Sequence, residues 1–251
     1  QFYTIDDSFD PVLDFEVGPT ECFLYTNYFG LKQETVLSLS KKFQNLIIDN
    51  SQAFFSEPLA EVDTFYSCRK FFGVPDGAYL HTTSSVKLKL ERDISYNRIS
   101  HLVKSIDLGI ENGYQDFKDN DNVLSNNPIR RMSNLSQKIL AGIDYKECKY
   151  RRNSNFMYLH DFLLKYNDYS FDASSLNGAL VYPFVHTSTA IKKKLIEKKI
   201  YVPTYWPNVF DWTTRKMLEY YLAEHLVSLP IDHRYTHTDM KRIINVLKTL
   251  L

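Results

Sequence analysis

The sequence is poor in cysteine. Its three cysteines, Cys22, Cys68 and Cys148, are far apart and odd in number. No CxxC spacing occurs, so neither a zinc knuckle nor a disulfide framework is indicated, and a reducing compartment, the cytoplasm, is the expectation. An excess of one charge is also missing: Lys plus Arg number 30 and Asp plus Glu number 30. That balance argues against a nucleic-acid binder driven by phosphate attraction. No apolar run approaches the length of a membrane span, and the N-terminus does not read as a signal peptide, so no membrane association is expected. The first residue is Gln1 rather than Met, which points to processing or to a longer N-terminal part.

What is present fits a folded α/β protein. The 251 residues suffice for one large domain or two small ones. Hydrophobic residues make up 44% and charged residues 24%, which is ordinary for a globular chain. Aromatics reach 15%, with 18 tyrosines, a composition suited to pockets or a broad interface.

The chain is organised around Phe65-Tyr66-Ser67-Cys68-Arg69-Lys70-Phe71-Phe72-Gly73-Val74-Pro75-Asp76-Gly77-Ala78. Lys70 stands among aromatic residues. Either it is a surface lysine whose stem lies along an apolar patch, or its ammonium form is poorly solvated. In the second case its pKa falls and its amine can attack carbonyls. Upstream, residues 21–30 read as a strand ending at a glycine. Val36, Leu37, Leu39 and Phe43 follow at roughly helical spacing, and Leu46-Ile47-Ile48-Asp49 reads as a second strand stopping at an acid. Strand, helix, strand is a βαβ unit, which predicts a parallel sheet with ligands beyond the carboxyl ends of its strands. Asn27 and Asp49 stand at such ends. Asp49 is either a turn cap or a carboxylate presented to a ligand, with Gln52 near enough to face the same cleft. Residues 61–66 form a further strand that delivers Ser67 and Lys70. A lysine and a carboxylate converging on one side of a sheet is the pair that pyridoxal phosphate needs: an amine for its aldehyde and an acid for its ring nitrogen. Ser67 and Arg69 are the local candidates for its phosphate.

The collinear segments Tyr25-Thr26-Asn27-Tyr28-Phe29-Gly30, Ile47-Ile48-Asp49-Asn50-Ser51-Gln52-Ala53, Ser67-Cys68-Arg69-Lys70 and Pro75-Asp76-Gly77-Ala78 resemble the DegT/DnrJ/EryC1/StrS family. These are fold-type I pyridoxal-phosphate enzymes, mostly sugar aminotransferases. The similarity continues through Ile129-Arg130-Arg131-Met132-Ser133, Val202-Pro203-Thr204-Tyr205-Trp206-Pro207 and Leu229-Pro230-Ile231-Asp232-His233. It implies an aspartate aminotransferase-like fold, with a partial large domain over residues 1–150 and a small C-terminal α/β domain over 151–251. It places the Schiff-base lysine at Lys70, the carboxylate for the pyridine nitrogen at Asp49 and the ring-hydroxyl contact at Gln52. It also implies a homodimer with shared active sites, in which Asn126, Asn127 and Arg131 reach the partner's cofactor phosphate. The expected substrates are a nucleotide-linked keto-sugar of polysaccharide or lipopolysaccharide synthesis and an amino donor, glutamate.

The chain departs from the family's pattern in four places. Ile129 stands where the family has asparagine. Ser67 lies only three residues ahead of Lys70, and Gly77-Ala78 replaces a common Gly-Gly. The phosphate-holding turn and ring-stacking aromatic that family members carry further upstream have no counterpart, so the sheet is expected to be incomplete. Together these indicate a divergent branch. Lys70 argues against the family's dehydratases, which carry histidine there, and a non-catalytic binding or assembly module is the alternative of a different class.

The remaining chain yields further expectations. A helix is predicted over 97–106, a polar loop over 118–127, and a long helical stretch over 132–166 broken near Gly142 to Asp144. A strand is predicted over 178–185, a helix over 190–199 capped by Ser188, and a strand over 200–203. Lys192-Lys193-Lys194 is read as a solvated face or a phosphate contact. Tyr205 and Trp206 line a substrate channel or pack in the core. His233 and His237 straddle a helix start with Thr236 or Thr238 as cap, so no metal is expected.

Overall fold

The computed structural model describes residues 1–85 and 89–251. A short hairpin of β1 (Thr4–Ile5) and β2 (Pro11–Val12) leads to β3 (Phe23–Thr26), α1 (Gln33–Lys42), β4 (Leu46–Asp49), β5 (Asp63–Ser67) and β6 (Ala78–His81). The sheet runs β3-β4-β5-β6, with β3, β4 and β5 parallel and β6 antiparallel at the edge. The predicted βαβ unit is therefore present, and β4 has the predicted bounds.

Alternation gives the sheet two unlike faces. Phe23, Tyr25, Leu46 and Ile48 point to one side and are buried against Val36 and Leu39 of α1. The other side carries Leu24, Thr26, Ile47, Asp49, Phe65 and Ser67. It is far more open, with Leu24 at 46% exposure and Leu80 of the neighbouring strand at 62%.

Beyond the sheet lie α2 (Ser100–Asp107) and α3 (Ile110–Asn126). The polar loop expected over 118–127 is instead the second half of α3. Polar packing rather than apolar periodicity fixes it there. Buried Asn120 donates to the Pro75 carbonyl at 2.8 Å and accepts from Arg98 at 3.2 Å, and Lys104 pairs with Asp116 at 2.8 Å. Gly113 lets α3 close on α2, since a Cβ there would meet the His101 carbonyl oxygen at 2.5 Å. The next helices, α4 (Asn134–Ala141) and α5 (Tyr145–Leu163), are separated at Gly142 to Asp144 as the sequence predicts. Ser133 caps α4 by accepting from the Ser136 N–H at 3.1 Å, and Asp144 caps α5 by accepting from the Glu147 N–H at 3.0 Å.

The C-terminal part contains β7 (Val181–Val185), α6 (Ala190–Glu197), α7 (Val209–Trp212), α8 (Leu218–His225), β8 (Leu226–Pro230) and α9 (His237–Leu247). Two expectations are corrected. Residues 200–203 form no strand; Ile200 and Val202 fill the core, while the partner of β7 is β8, paired antiparallel. Ser188 does not cap α6, whose N-cap is Thr189 without a side-chain bond. The Thr236 cap is present, as a reciprocal capping box with Asp239. Here α5, α6 and α9 close over β7 and β8 around Phe156, Leu159, Tyr182, Phe184, Leu195 and Leu229.

A second cluster joins sequence-distant parts: Phe9, Phe29, Phe71, Phe72, Leu180 and Leu222 share it. Arg152 of α5 is 1% exposed beside this cluster. It donates to the Ala179 and Leu180 carbonyls at 3.2 Å each and to Asp232 at 2.6 Å, and its guanidinium lies 4.7 Å from the centre of the Phe71 ring. Burial alone would push the Asp232 carboxyl up, but the Arg152 and Arg234 guanidiniums hold it below its ordinary value.

Arg152→Leu leaves Asp232 without its buried partner and is expected to cost about 3–5 kcal/mol in urea denaturation. Adding Asp232→Asn should recover part of that loss. A second buried carboxylate, Asp76, accepts from the Ser133 N–H and from the Ser133 hydroxyl, both at 2.7 Å, and from Ser136. Burial raises its pKa, but these donors outweigh burial and leave it below 3.8. Its stabilisation is therefore present above the unfolded value of 3.8 and lost as pH falls through the lower folded value. Asp76→Asn should cost about 2 kcal/mol at neutral pH, a gap that narrows only in acid when denaturation is followed against pH.

Candidate active site

The carboxyl ends of the three parallel strands place the candidate residues. Thr26, Asp49 and Phe65 lie side by side in register on the open face. Beyond Asp49 the chain turns sharply, because the Asp49 Oδ1 accepts the Ser51 N–H at 2.7 Å. This turn sends Asn50 and Gln52 inward, with 2% and 1% exposure.

Asn27 and Gln52 fasten the loops beneath the site. The Asn27 amide donates to Asn50 Oδ1 at 3.1 Å and Ser56 Oγ at 3.3 Å, and its oxygen accepts the Lys32 N–H at 3.0 Å. The Gln52 oxygen accepts the Phe29 N–H at 3.1 Å. Phe29 has φ +59°, an unusual conformation for a bulky residue. Its N–H bond to Gln52 and a bond from the Leu180 N–H to its carbonyl, at 2.9 Å, hold it. The next residue, Gly30, has φ +77°, and a Cβ there would stand 3.3 Å from the Ala53 backbone.

Lys70 follows β5 in a tight turn in which the Phe71 and Phe72 N–H groups donate to the Cys68 carbonyl at 3.1 and 2.9 Å. Cys68, Phe71 and Phe72 are buried, and Lys70 is exposed. Its Nζ donates to the Ser51 hydroxyl at 3.0 Å. Desolvation by the surrounding protein lowers its pKa from the ordinary lysine value. The Asp49 carboxylate opposes that shift and Arg69 adds to it. The lysine and the acid read from the sequence thus act on one another electrostatically, and Ser51 touches both. Ser51 is the site residue that the sequence reading missed. The available signal was a hydroxyl two residues beyond a strand-ending aspartate, where an aspartate-led turn brings it back over the strand end.

The other candidates are placed less favourably. Ser67 ends β5 half-buried on the open face. Arg69 pairs with Asp121 of α3 at 3.1 Å and lies 5.8 Å from the Phe117 ring, so phosphate binding would need that pair to open. Asn126 bonds its own helix at Asn122, and Asn127 is exposed just beyond α3. Arg131 is exposed, and its main chain bridges to Glu91 and Asp93 at 2.8 and 2.9 Å. Trp206 is half-buried, with its ring 5.3 and 5.9 Å from those of Tyr28 and Phe29. It packs on the turn after β3. Lys192 donates to the Ala223 carbonyl at 3.0 Å and Lys194 pairs with Glu197 at 3.4 Å. Among the described residues no group of three acidic, His or Cys side chains could hold a metal, and no helix is long and apolar enough to cross a membrane.

Solved structures share this architecture. PseC of Helicobacter pylori, an aminotransferase involved in the biosynthesis of pseudoaminic acid, superposes with a TM-score of 0.60 at 14% identity, over 99% of this chain and 73% of PseC. The sugar aminotransferase CalS13 of Micromonospora echinospora gives a TM-score of 0.56 at 13% identity, over 98% of this chain and 73% of CalS13. A DegT DnrJ EryC1 StrS aminotransferase of Brucella abortus gives 0.54 at 12% identity, over 90% of this chain. The chain has the fold of these aminotransferases. It spans 63% of the length of the Brucella protein, less than two thirds. The sequence matches no family model and no curated protein. The aminotransferase fold agrees with the expected α/β class and its mostly parallel sheet.

Lys70 should become acylated by a limiting amine reagent at lower pH than an ordinary lysine, because its neutral fraction is larger at every pH below 10.5. Since the Asp49 charge opposes the shift, Asp49→Asn should move the midpoint of labelling still lower, as read by mass spectrometry.

Proposed function

We propose that the chain takes part in pyridoxal-phosphate-dependent amino transfer to a sugar. The observation that carries this reading is the juxtaposition of the Lys70 amine, the Ser51 hydroxyl and the Asp49 carboxylate at the carboxyl ends of parallel strands, in an aminotransferase fold. The donor set fits the cofactor's reactive end: a desolvated primary amine suits an aldehyde, and a carboxylate suits a protonated pyridine nitrogen. The fit to the phosphate is partial, since Arg69 is engaged by Asp121 and Ser67 is left as the local donor.

When bound, pyridoxal phosphate supplies the electron sink through which an amino group passes from donor to keto acceptor. Lys70 Nζ would hold the cofactor and, once released, carry the proton to and from the substrate carbon. Asp49 would keep the ring-nitrogen proton in place. Asn27 and Gln52 would set the floor beneath these two groups through the loops they fasten. The sugar class is supported by the names of the structural neighbours PseC and CalS13. A nucleotide-linked keto-sugar of polysaccharide or lipopolysaccharide synthesis, glutamate as donor, a cytoplasmic setting and a homodimer with shared sites follow from the family resemblance. The assignment of residues 1–150 and 151–251 to a large and a small domain is part of the same proposal.

The test is an absorbance spectrum of the protein with added pyridoxal phosphate, wild type against Lys70→Ala. A band near the visible edge, lost in Lys70→Ala and shifted by glutamate, is expected. Absence of the band from folded wild-type protein overturns the enzymatic reading in favour of a non-catalytic binding module.

A further inference from the structure

We infer that Ser51 is a positioning residue: its hydroxyl holds the free Lys70 amine in register with the Asp49 carboxylate whenever that amine is not bonded to a carbonyl. The inference deepens the proposed function and rests on it for its catalytic meaning. Ser51 meets both partners through different atoms. Its N–H donates to Asp49 Oδ1 at 2.7 Å, and its Oγ accepts from Lys70 Nζ at 3.0 Å. The backbone bond is independent of the side chain, so Asp49 stays oriented with alanine or threonine at position 51. The hydroxyl bond depends on the side chain alone.

An exposed lysine has many rotamers, and ordering it against water needs a partner at a fixed place. Asp49 supplies attraction over distance, while a hydroxyl supplies direction. The partner is also held in place. Asn50 and Gln52, on either side of Ser51, are buried and bonded to Asn27 and Phe29 respectively. The hydroxyl is thus mounted on a loop held by buried side chains, and the lysine on a turn anchored by Phe71 and Phe72. The charged groups acting on Lys70 are Asp49, from the end of β4, and Arg69, from its own turn. Neither sits between the amine and a fixed direction as Ser51 does. Because Ser51 accepts from the protonated amine, it favours the charged, parked form. Loss of the hydroxyl therefore lowers the midpoint of Lys70 protonation.

The experiment measures that midpoint in cofactor-free protein, by competitive acetylation across pH with mass-spectrometric readout. Wild type, Ser51→Ala and Ser51→Thr are compared, with circular dichroism confirming the fold of each. In Ser51→Ala the Lys70 midpoint is expected to fall by about half a unit, while the other lysines stay put and Ser51→Thr matches wild type. An unchanged midpoint in Ser51→Ala overturns the inference, as does an equal fall in Ser51→Thr. The pyridoxal-phosphate spectrum separates this result from the parent reading. A shifted midpoint without a wild-type cofactor band leaves Ser51 as a partner of Lys70 and removes the aminotransferase role. A wild-type band with an unmoved midpoint does the reverse.

Discussion

The buried contact of Arg152 with Asp232 and Phe71 is the constraint on which the candidate site depends. A guanidinium with 1% exposure must have its donors satisfied. Arg152 meets most of that demand with two carbonyls at the approach to β7 and the carboxylate just beyond β8, leaving its Nε without a partner among the described residues, and so ties α5 to both strands at one end of the C-terminal sheet. Its flat cation also lies against Phe71, the residue next to Lys70. Lys70 thus has a neighbour seated in a core that the C-terminal part of the chain helps to supply. Such a pair contributes little to net stability against an apolar replacement. Its value here is directional, because a planar ion whose two terminal nitrogens must meet three fixed oxygens has few ways to sit.

How much of this was legible in the sequence depended on whether local pattern or distant contact decided the outcome. β4 was read to the residue because Leu46, Ile47 and Ile48 are apolar and Asp49 stops them. The break between α4 and α5 showed as Gly142 and Asp144 in a helical pattern. Lys70 and Asp49 were found through spacing and family resemblance. By contrast, the second half of α3 is mostly polar, and what keeps it helical is its seat against Pro75, Arg98 and α2. Residues 200–203 had the apolar alternation of a strand, but that alternation fills a core and no neighbouring strand meets it. Ser51 escaped notice because a serine beside an aspartate reads as turn chemistry. Its importance arises only when the turn brings it to an amine 19 positions away.

Asn27 and Gln52 teach a related lesson. Both lie at strand ends where ligands usually bind, and both turn inward. Position at the carboxyl edge of a sheet identifies a neighbourhood, while burial and bonding decide what each side chain does there. Asn27 makes bonds through both ends of its amide, and Gln52 holds the strained Phe29 turn. The groups that remain outward at these strand ends are Asp49, Ser51, Ser67 and Lys70.

Three of the four non-glycine residues with positive φ among those described, Phe9, Phe29 and Trp206, are aromatic and meet in one place. Phe29 stands 5.6 Å from Phe9 and 5.9 Å from Trp206, ring centre to ring centre. They come from three distant segments, so each strained backbone is held by a ring that belongs to another. The Phe9 turn is also closed locally, with Asp6 Oδ1 accepting the Ser8 and Asp10 N–H groups at 2.9 Å each. A smaller side chain at Phe9 or Trp206 therefore removes packing from the Phe29 turn, whose N–H is bonded by Gln52, and its effect reaches the site from two distant segments.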